Sequence, residues 1–260
     1  MLQGKNALVT GSTSGIGRGI ALALAQAGAN VMLNGLGDPA EIERLRASLA
    51  DAGGVAVRYH PADLRQPAEV ARLVADTEQA LGAVDILVNN AGIQFVSPVE
   101  DFPTERWDAI QGIMLDASFH AIRAAVPGMK RRGWGRIINL VSVHGLVASP
   151  FKSAYVAAKH GLIGLTRSVA LELAETAVTC NAICPGYVQT PLVEAQIDSQ
   201  AAVHGLPRER VIREVLLAAQ PSKRFVQVEE VAALAVFLCG EAARSITGAA
   251  IPIDGGWTAR

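Results

Sequence analysis

Cysteine is rare in this chain, three residues in 260, and the count is odd. That excludes a disulfide scaffold. Cys180 and Cys184 stand four apart in the strand-like TCNAIC segment, with no histidine or second cysteine pair nearby. They read as buried thiols in a reducing compartment, and no metal site is expected. Excess charge is also missing. The formal net charge is −1, so nothing points to nucleic acid or an anionic surface as partner. Long apolar runs are lacking too. The uncharged stretch Gly19–Gly37 has the length of a membrane span, but it contains Gln26, Asn30, Asn34 and four glycines and reads as helix–turn–strand. There is no internal repeat, low-complexity tract or long run of one charge. The opening MLQGKNALVT enters a strand almost at once, which leaves no room for a signal peptide; a cytoplasmic protein is expected. What is abundant is glycine, 25 residues, in a chain half hydrophobic. That composition suits one α/β domain over residues 1–260, long enough for a sizeable core.

The most informative stretch is Asn139–Gly161, NLVSVHGLVASPFKSAYVAAKHG. A helical spacing of four puts Tyr155 and Lys159 on one face, one turn apart. A phenol beside an ammonium is expected to have a lowered pKa, and a tyrosine so tuned can give or take a proton. Ser142 follows the apolar run Arg136–Val141, a predicted buried strand. From there its hydroxyl can hold a substrate oxygen while the tyrosine moves the proton. The plainer reading, an exposed helix pair and a serine in a turn, loses to a second motif near the other end of the chain.

That motif is Gly11-Ser-Thr-Ser-Gly15-Ile-Gly17, between the apolar run Ala7–Thr10 and a helix-spaced run ending at Gly28. Strand, glycine turn and helix form the context in which such a motif binds a dinucleotide. Gly11 permits the tight turn, Gly15 the approach of a diphosphate and Gly17 close helix–strand packing. The helix N-terminus then offers unpaired N–H groups to the phosphates. After the second strand, Val31–Leu33, the chain has Asn34-Gly35-Leu36-Gly37-Asp38. No Lys or Arg lies at Ser12–Ser14 or Asn34–Asp38 to meet a 2′-phosphate, so NAD is expected over NADP.

Helical and strand signals alternate along the chain. Helices are predicted over Ile42–Leu49, Pro67–Leu81, Thr104–Arg131, Lys152–Ala174 and Glu229–Cys239. Strands are predicted over Val55–Tyr59, Asp85–Val88, Arg136–Val141, Thr179–Ile183 and Ala249–Ile253. Such alternation implies a Rossmann-like, doubly wound parallel sheet with helices on both faces and ligands at the strand carboxyl ends. The region Tyr187–Val226 breaks the rhythm and reads as a helical substrate lid.

Thr10-Gly-x-x-x-Gly15-x-Gly17, Asn89-Asn-Ala-Gly92, Ser142, Tyr155-x-x-x-Lys159 and Pro185-Gly186 occur in that order over essentially the whole chain. Together they resemble the short-chain dehydrogenase/reductase family. The resemblance implies a nicotinamide cofactor, hydride transfer between carbinol and carbonyl, and a homotetramer. NNAGIQ, VEDFPTERWDAI, VHGLVAS, KSAYVAAKHG, TPLVEAQI and the ending DGGWTAR are most similar to the bacterial D-3-hydroxybutyrate dehydrogenase branch. That likeness implies a small 3-hydroxy acid substrate, with Gln94, His144, Lys152 and Gln196 around its carboxylate and Tyr187 and Trp257 walling the pocket. It also implies a cofactor site of Gly11, Thr13, Gly15, Ile16, Gly17, Leu36, Asp63, Leu64, Asn90, Tyr155, Lys159, Pro185, Gly186, Val188, Thr190, Leu192 and Val193. Ser142, Tyr155 and Lys159 would be catalytic. The chain departs from the family at Met114, where relatives often have Asn, and at Tyr187, where they often have Trp. A thioether cannot replace an amide that supports a relay water. The rival readings are an NADPH-dependent 3-oxoacyl reductase of the same family and a non-catalytic dinucleotide-binding protein. The missing basic residue weighs against the first, the intact Ser, Tyr and Lys against the second.

Overall fold

Short apolar runs such as NALV and ILVN are too brief for helices and carry no polar face, so they pair as buried strands. The computed structural model describes every residue except 192, 195, 196, 199, 200, 202–204 and 260. Its strands are β1 (Asn6–Val9), β2 (Asn30–Asn34), β3 (Val57–His60), β4 (Ile86–Asn89), β5 (Gly135–Leu140), β6 (Val178–Pro185) and β7 (Ala250–Ile253). All neighbours pair in parallel, in the order β3-β2-β1-β4-β5-β6-β7. The order reverses between β1 and β4, which places a crevice at their carboxyl ends.

Successive residues of each strand point to opposite faces and feed two cores. Val9, Val31, Val88 and Ile138 pack with Ile20 and Leu24 of α1 (Gly15–Gln26), with Leu45 and Leu49 of α2 (Pro39–Gly53), and with Val231 and Leu238 of α7 (Val228–Cys239). Leu8, Met32, Leu87 and Ile137 pack on the other face. Their partners are Val70 and Leu73 of α3 (Pro67–Leu81), Ile122 and Met129 of α5 (Ala117–Arg132), and Val169 of α6 (Ser153–Glu172). The three thiols are buried and unpaired. Among the described residues no helix is long and apolar enough to cross a membrane.

Most boundaries fall within a few residues of expectation. The largest extension is α2, which begins ahead of Ile42 because Asp38 caps it, accepting from the N–H groups of Ala40 and Glu41, with Pro39 in the first turn. The long helix expected over Thr104–Arg131 is not uniform. α4 (Thr104–Gln111) passes into a π-helical turn at Gly112–Asp116 before α5. Of the region Tyr187–Val226, Val188 bridges Val226 in parallel and Ile197, Val211 and Leu216 form a small apolar cluster. Leu192 and Gln196 lie outside the described residues.

Candidate active site

The glycine turn after β1 is shaped by close backbone contact. A Cβ on Gly17 would lie 2.3 Å from the Gly11 carbonyl oxygen and 2.4 Å from Asn90 Nδ2. One on Gly11, at φ +61°, would lie 2.8 Å from Ala91 Cα. The Asn90 amide fastens the turn, donating to the carbonyls of Thr10 and Gly11, 2.9 Å each. Among the described residues, a Cβ on Gly15 would meet only the Thr190 methyl, at 3.8 Å. The space over Gly15 is therefore open, and α1 begins there with Ser14 providing no side-chain cap. An open cradle over uncapped N–H groups fits the diphosphate of a dinucleotide. Thr13 donates to the Leu36 carbonyl and ties the turn to the loop after β2, while the Leu36 side chain is left exposed. Ile16 packs on the core. Asp63 binds Arg65 through its carboxylate, and Leu64 tucks beside the second core. Gly186 follows Pro185 at the end of β6, its N–H bonded to Ile253. Val193 donates to the Thr190 hydroxyl.

β5 delivers Ser142 to the same edge of the sheet. Its Oγ accepts from the His144 N–H at 3.2 Å and lies 3.3 Å from His144 Nδ1. It also faces the Tyr155 hydroxyl closely enough to bear on its pKa. Lys159 is only 4% exposed. Its Nζ sits 5.6 Å from the Tyr155 ring centroid and donates to the Leu140 carbonyl at 2.6 Å. The expectation that Lys159 lowers the Tyr155 pKa is corrected here. Burial pushes the phenol up, the Ser142 hydroxyl opposes this, and Tyr187 adds to the rise. The Lys159 ammonium is directed to a carbonyl, and burial brings its own pKa down to about 7. Desolvation outweighs the pairing inferred from helical spacing.

The pocket beyond Ser142 is aromatic. The His144 ring stands edge-on to Tyr155 at 6.0 Å and to Trp257 at 5.5 Å, and Trp257 stacks on Tyr187 at 5.8 Å. His144 is buried, and its Nε2 has no hydrogen-bond partner among the described residues. Burial and the nearby charges of Lys152 and His160 hold its pKa down at about 4. Lys152 is half-buried, and desolvation lowers its pKa. Gln94 lies in the exposed loop after β4 and makes no hydrogen bond to the described residues. The structure thus gathers Ser142, His144, Lys152, Tyr155, Lys159, Tyr187 and Trp257, while Gln94 stays exposed in the loop after β4.

Met114 occupies the π-helical turn, fully buried against Ile110, Ala154, Ala158 and Tyr155. Its Cε lies 3.1 Å from where a Cβ on Gly92 would be, so the thioether packs under the Asn89–Gly92 loop. Three positions escaped sequence analysis. Asp254 accepts from the N–H groups of Gly256 and Thr258 and from the Thr258 hydroxyl, which fixes the turn bearing Trp257. The Asp-Gly-Gly signal for such a turn was present. Gln220, fully buried, accepts from the Tyr187 N–H; no local signal marks it. Arg18, four residues into α1, lines a groove of about 530 Å³ beside Thr13 and Leu36. Arg44, Asp38 and Glu41 also line it, so its two cations face two carboxylates.

A family model described as enoyl-(acyl carrier protein) reductase matches residues 11–258. D-beta-hydroxybutyrate dehydrogenase from Rhizobium meliloti (strain 1021) is 57% identical over 98% of this chain and 99% of that one. The enzyme of that name from Cupriavidus necator is 56% identical over the full length of both. A 3-oxoacyl-[acyl-carrier-protein] reductase from Staphylococcus aureus (strain Mu50) is 36% identical over 97% of each. Among solved structures, one described as a short-chain alcohol dehydrogenase from Sinorhizobium meliloti 1021 superposes with a TM-score of 0.86 at 36% identity, over 99% of this chain and 98% of that one. With the glycine turn, the parallel sheet and the Ser–Tyr–Lys group at its carboxyl edge, these full-length matches establish that the chain belongs to the short-chain dehydrogenase/reductase family of oxidoreductases.

Proposed function

We propose that the protein is an NAD-dependent D-3-hydroxybutyrate dehydrogenase that interconverts 3-hydroxybutyrate and acetoacetate. The observation that carries this reading is the buried Nε2 of His144, without a partner among the described residues and set beside the Lys152 charge in a pocket walled by Tyr187 and Trp257. A buried polar atom without a partner is costly unless a ligand supplies one. A small carboxylate does so, and the two relatives above 55% identity carry the name of such an enzyme. Gln94 and Gln196 complete the carboxylate site in this reading.

NAD, when bound, supplies the acceptor for the hydride that leaves C3. The Gly11–Gly17 turn and the uncapped start of α1 hold its diphosphate. Thr13, Ile16, Leu36, Asp63, Leu64, Asn90, Pro185, Gly186, Val188, Thr190, Leu192 and Val193 line the rest, and Lys159 holds the nicotinamide ribose. NAD is favoured over NADP because the groove near Leu36 has no surplus positive charge for a 2′-phosphate. Ser142 hydrogen-bonds the carbinol oxygen. Tyr155, as phenolate, takes the carbinol proton, and in the reverse direction the phenol returns it. The segment Tyr187–Val226 closes over the substrate. The family likeness also supports a cytoplasmic homotetramer. Trp107, Phe119 and Leu171 expose apolar surface on α4, α5 and α6 that such an assembly would cover.

The test is a cofactor-reduction screen over both enantiomers of 3-hydroxybutyrate and the methyl ester, with NAD and NADP in parallel. The reading expects the D-acid with NAD to be the best pair. Better turnover of the ester, or of either compound with NADP, would move the 3-oxoacyl reductase reading ahead.

A further inference from the structure

Where the chain leaves the sheet after β6, the pocket wall begins. Gly186 still bonds to β7, its N–H donating to the Ile253 carbonyl at 3.0 Å. The next N–H, that of Tyr187, donates instead to a side chain, Gln220 Oε1, at 3.1 Å. Gln220 is fully buried, and its Nε2 donates to the Arg224 carbonyl. One amide thus offers an acceptor to the chain at residue 187 and a donor to the chain at residue 224. An N–H on one side and a carbonyl on the other leave only one way round for that amide.

These two residues stand near the ends of the segment Tyr187–Val226. Tyr187 opens it, and its carbonyl accepts from the Val226 N–H at 2.9 Å, beside the parallel bridge between Val188 and Val226. The turn that carries Gln220 is tied down in its own right. The Gln220 carbonyl accepts from the Lys223 N–H at 3.0 Å. Lys223, at φ +51°, donates through Nζ to the carbonyls of Leu217 and Ala218. A non-glycine residue stays in that left-handed region only where its surroundings hold it there. A third segment meets the same turn, because the Ser222 N–H donates to the Gly255 carbonyl at 3.0 Å. A Cβ on Gly255 would lie 2.1 Å from Ser222 Oγ and 3.0 Å from Gln220 Cγ, and one on Gly186 would lie 2.4 Å from Gln220 Oε1. Two glycines therefore make room for this side chain, one leading to Tyr187 and the other to Trp257.

The rings of Tyr187 and Trp257 stack at 5.8 Å with 19° between their planes, and Trp257 stands edge-on to His144 at 5.5 Å. One ring hangs on the main chain that Gln220 binds. The other hangs on the turn that packs against Gln220 and Ser222. We propose that Gln220 is a positioning residue for the substrate pocket: its amide holds the Tyr187 main chain against the C-terminal turn, sets the Tyr187–Trp257 stack, and thereby fixes how long a 3-hydroxy acid the pocket admits. The proposal rests on the hydroxy-acid reading above and adds its specificity device. Gln220 acts through the two rings and not on the ligand, since it is fully enclosed. Met in its place fills similar space but leaves the Tyr187 N–H and the Arg224 carbonyl without partners, and buried groups so left move toward others. The chain at residue 187 then shifts, and the stack shifts with it. A rigid apolar wall separates substrates differing by one methylene by roughly 10–200-fold, and a wall free to move loses that selectivity.

The experiment pairs kinetics with a reading that needs no turnover. Protein carrying 5-fluorotryptophan has three fluorine sites, at Trp107, Trp134 and Trp257, and Trp257→Phe identifies the third by NMR. In ligand-free protein, Gln220→Met should shift or broaden the Trp257 resonance and leave the other two in place, which shows the fold intact. With NAD, the ratio of kcat/KM for D-3-hydroxybutyrate over D-3-hydroxypentanoate should fall by about tenfold. The fall should come from KM for the four-carbon acid, with kcat and the NAD dissociation constant each changed by less than about threefold. Gln220→Asn, one methylene shorter, cannot span both partners. It should show the same changes in smaller measure, and it takes over the test if the Met variant does not fold. An undisturbed Trp257 resonance in a folded variant, an unchanged ratio between the two acids, or a loss of kcat alike for both would overturn the proposal. If the parent oxidises no 3-hydroxy acid, the functional reading falls, and the Trp257 resonance still decides whether Gln220 sets the stack.

Discussion

Replacing Lys159 with Met should destroy activity and, at acidic pH, make the protein more stable. The Lys159 side chain is buried and donates to the Leu140 carbonyl at 2.6 Å. Burial brings its pKa from 10.5 down to about 7. Below pH 7 the ammonium is charged in both folded and unfolded states, and the fold bears the whole cost of burying it. Between pH 7 and 10.5 the unfolded chain holds a proton that the folded one has lost, so wild-type stability rises with pH across that window. A depression of roughly 3.5 pH units corresponds to about 5 kcal/mol. Met fills the same volume without charge but leaves the Leu140 carbonyl without its partner, a loss of about 1–3 kcal/mol. The variant should therefore be more stable at pH 6 by roughly 2–4 kcal/mol. From pH 6 to 9.5 that advantage should shrink by about 3 kcal/mol and approach zero or reverse. Urea unfolding of ligand-free protein, at one protein concentration and at pH 6, 8 and 9.5, measures the difference. A gap between the two proteins that does not change with pH, or a variant less stable at pH 6, would refute the reasoning.

Tyr155→Phe keeps the ring and removes the transferable proton, so turnover should fall on the order of 10²–10⁴-fold while NAD binding by fluorescence titration changes little. Because burial raises the Tyr155 pKa, the oxidation rate of the wild type should increase with pH through the neutral range; a flat profile from pH 6 to 9 would argue for another base. Lys152→Ala should depress kcat/KM for the acid by at least about tenfold, since a hydrogen bond to a charged group is worth roughly 1.5–3 kcal/mol, and should barely affect the methyl ester; equal losses would remove Lys152 from carboxylate recognition. The enzyme should be active with Met114 in place, and Met114→Asn should bring less than a tenfold gain in kcat while costing stability from a buried amide; an inactive parent rescued by Asn would show the amide to be indispensable. NAD with acetoacetate should slow proteolysis between Tyr187 and Val226 more than elsewhere, and unchanged cleavage there would leave a surface helix pair rather than a lid.

The sheet was legible because buried parallel strands write themselves as short apolar runs, and six of the seven occur where such runs do; β3, at the edge of the sheet, reads VRYH. The cofactor turn was legible for a similar reason: only glycine tolerates the contacts at residues 11 and 17. The electrostatics were not. Helical spacing shows that Lys159 lies near Tyr155, but it cannot show that the ammonium points to Leu140 or that dehydration dominates the phenol. The π-helical turn at Gly112–Asp116 also has no local signature. Its cause is tertiary, with Met114 wedged between the loop after β4 and α6. Arg18 lies beyond the loops that flank the groove, and the helix brings it back to the same groove from one turn inside. Gln220 acts across 33 residues of sequence to reach Tyr187, a distance over which pattern reading has no grip.

The contact between His144 and Trp257 joins residues 113 positions apart, and Trp257 follows β7, which pairs with β6. Loop closure over such spans is slow, and parallel pairing is the slow part of folding. During refolding, helical signal and nucleotide-site formation near β1 and β4 can therefore precede the finished pocket. Regained turnover is a clock for the last strand: the interval between recovery of the circular dichroism signal and recovery of activity measures how long β7 takes to dock.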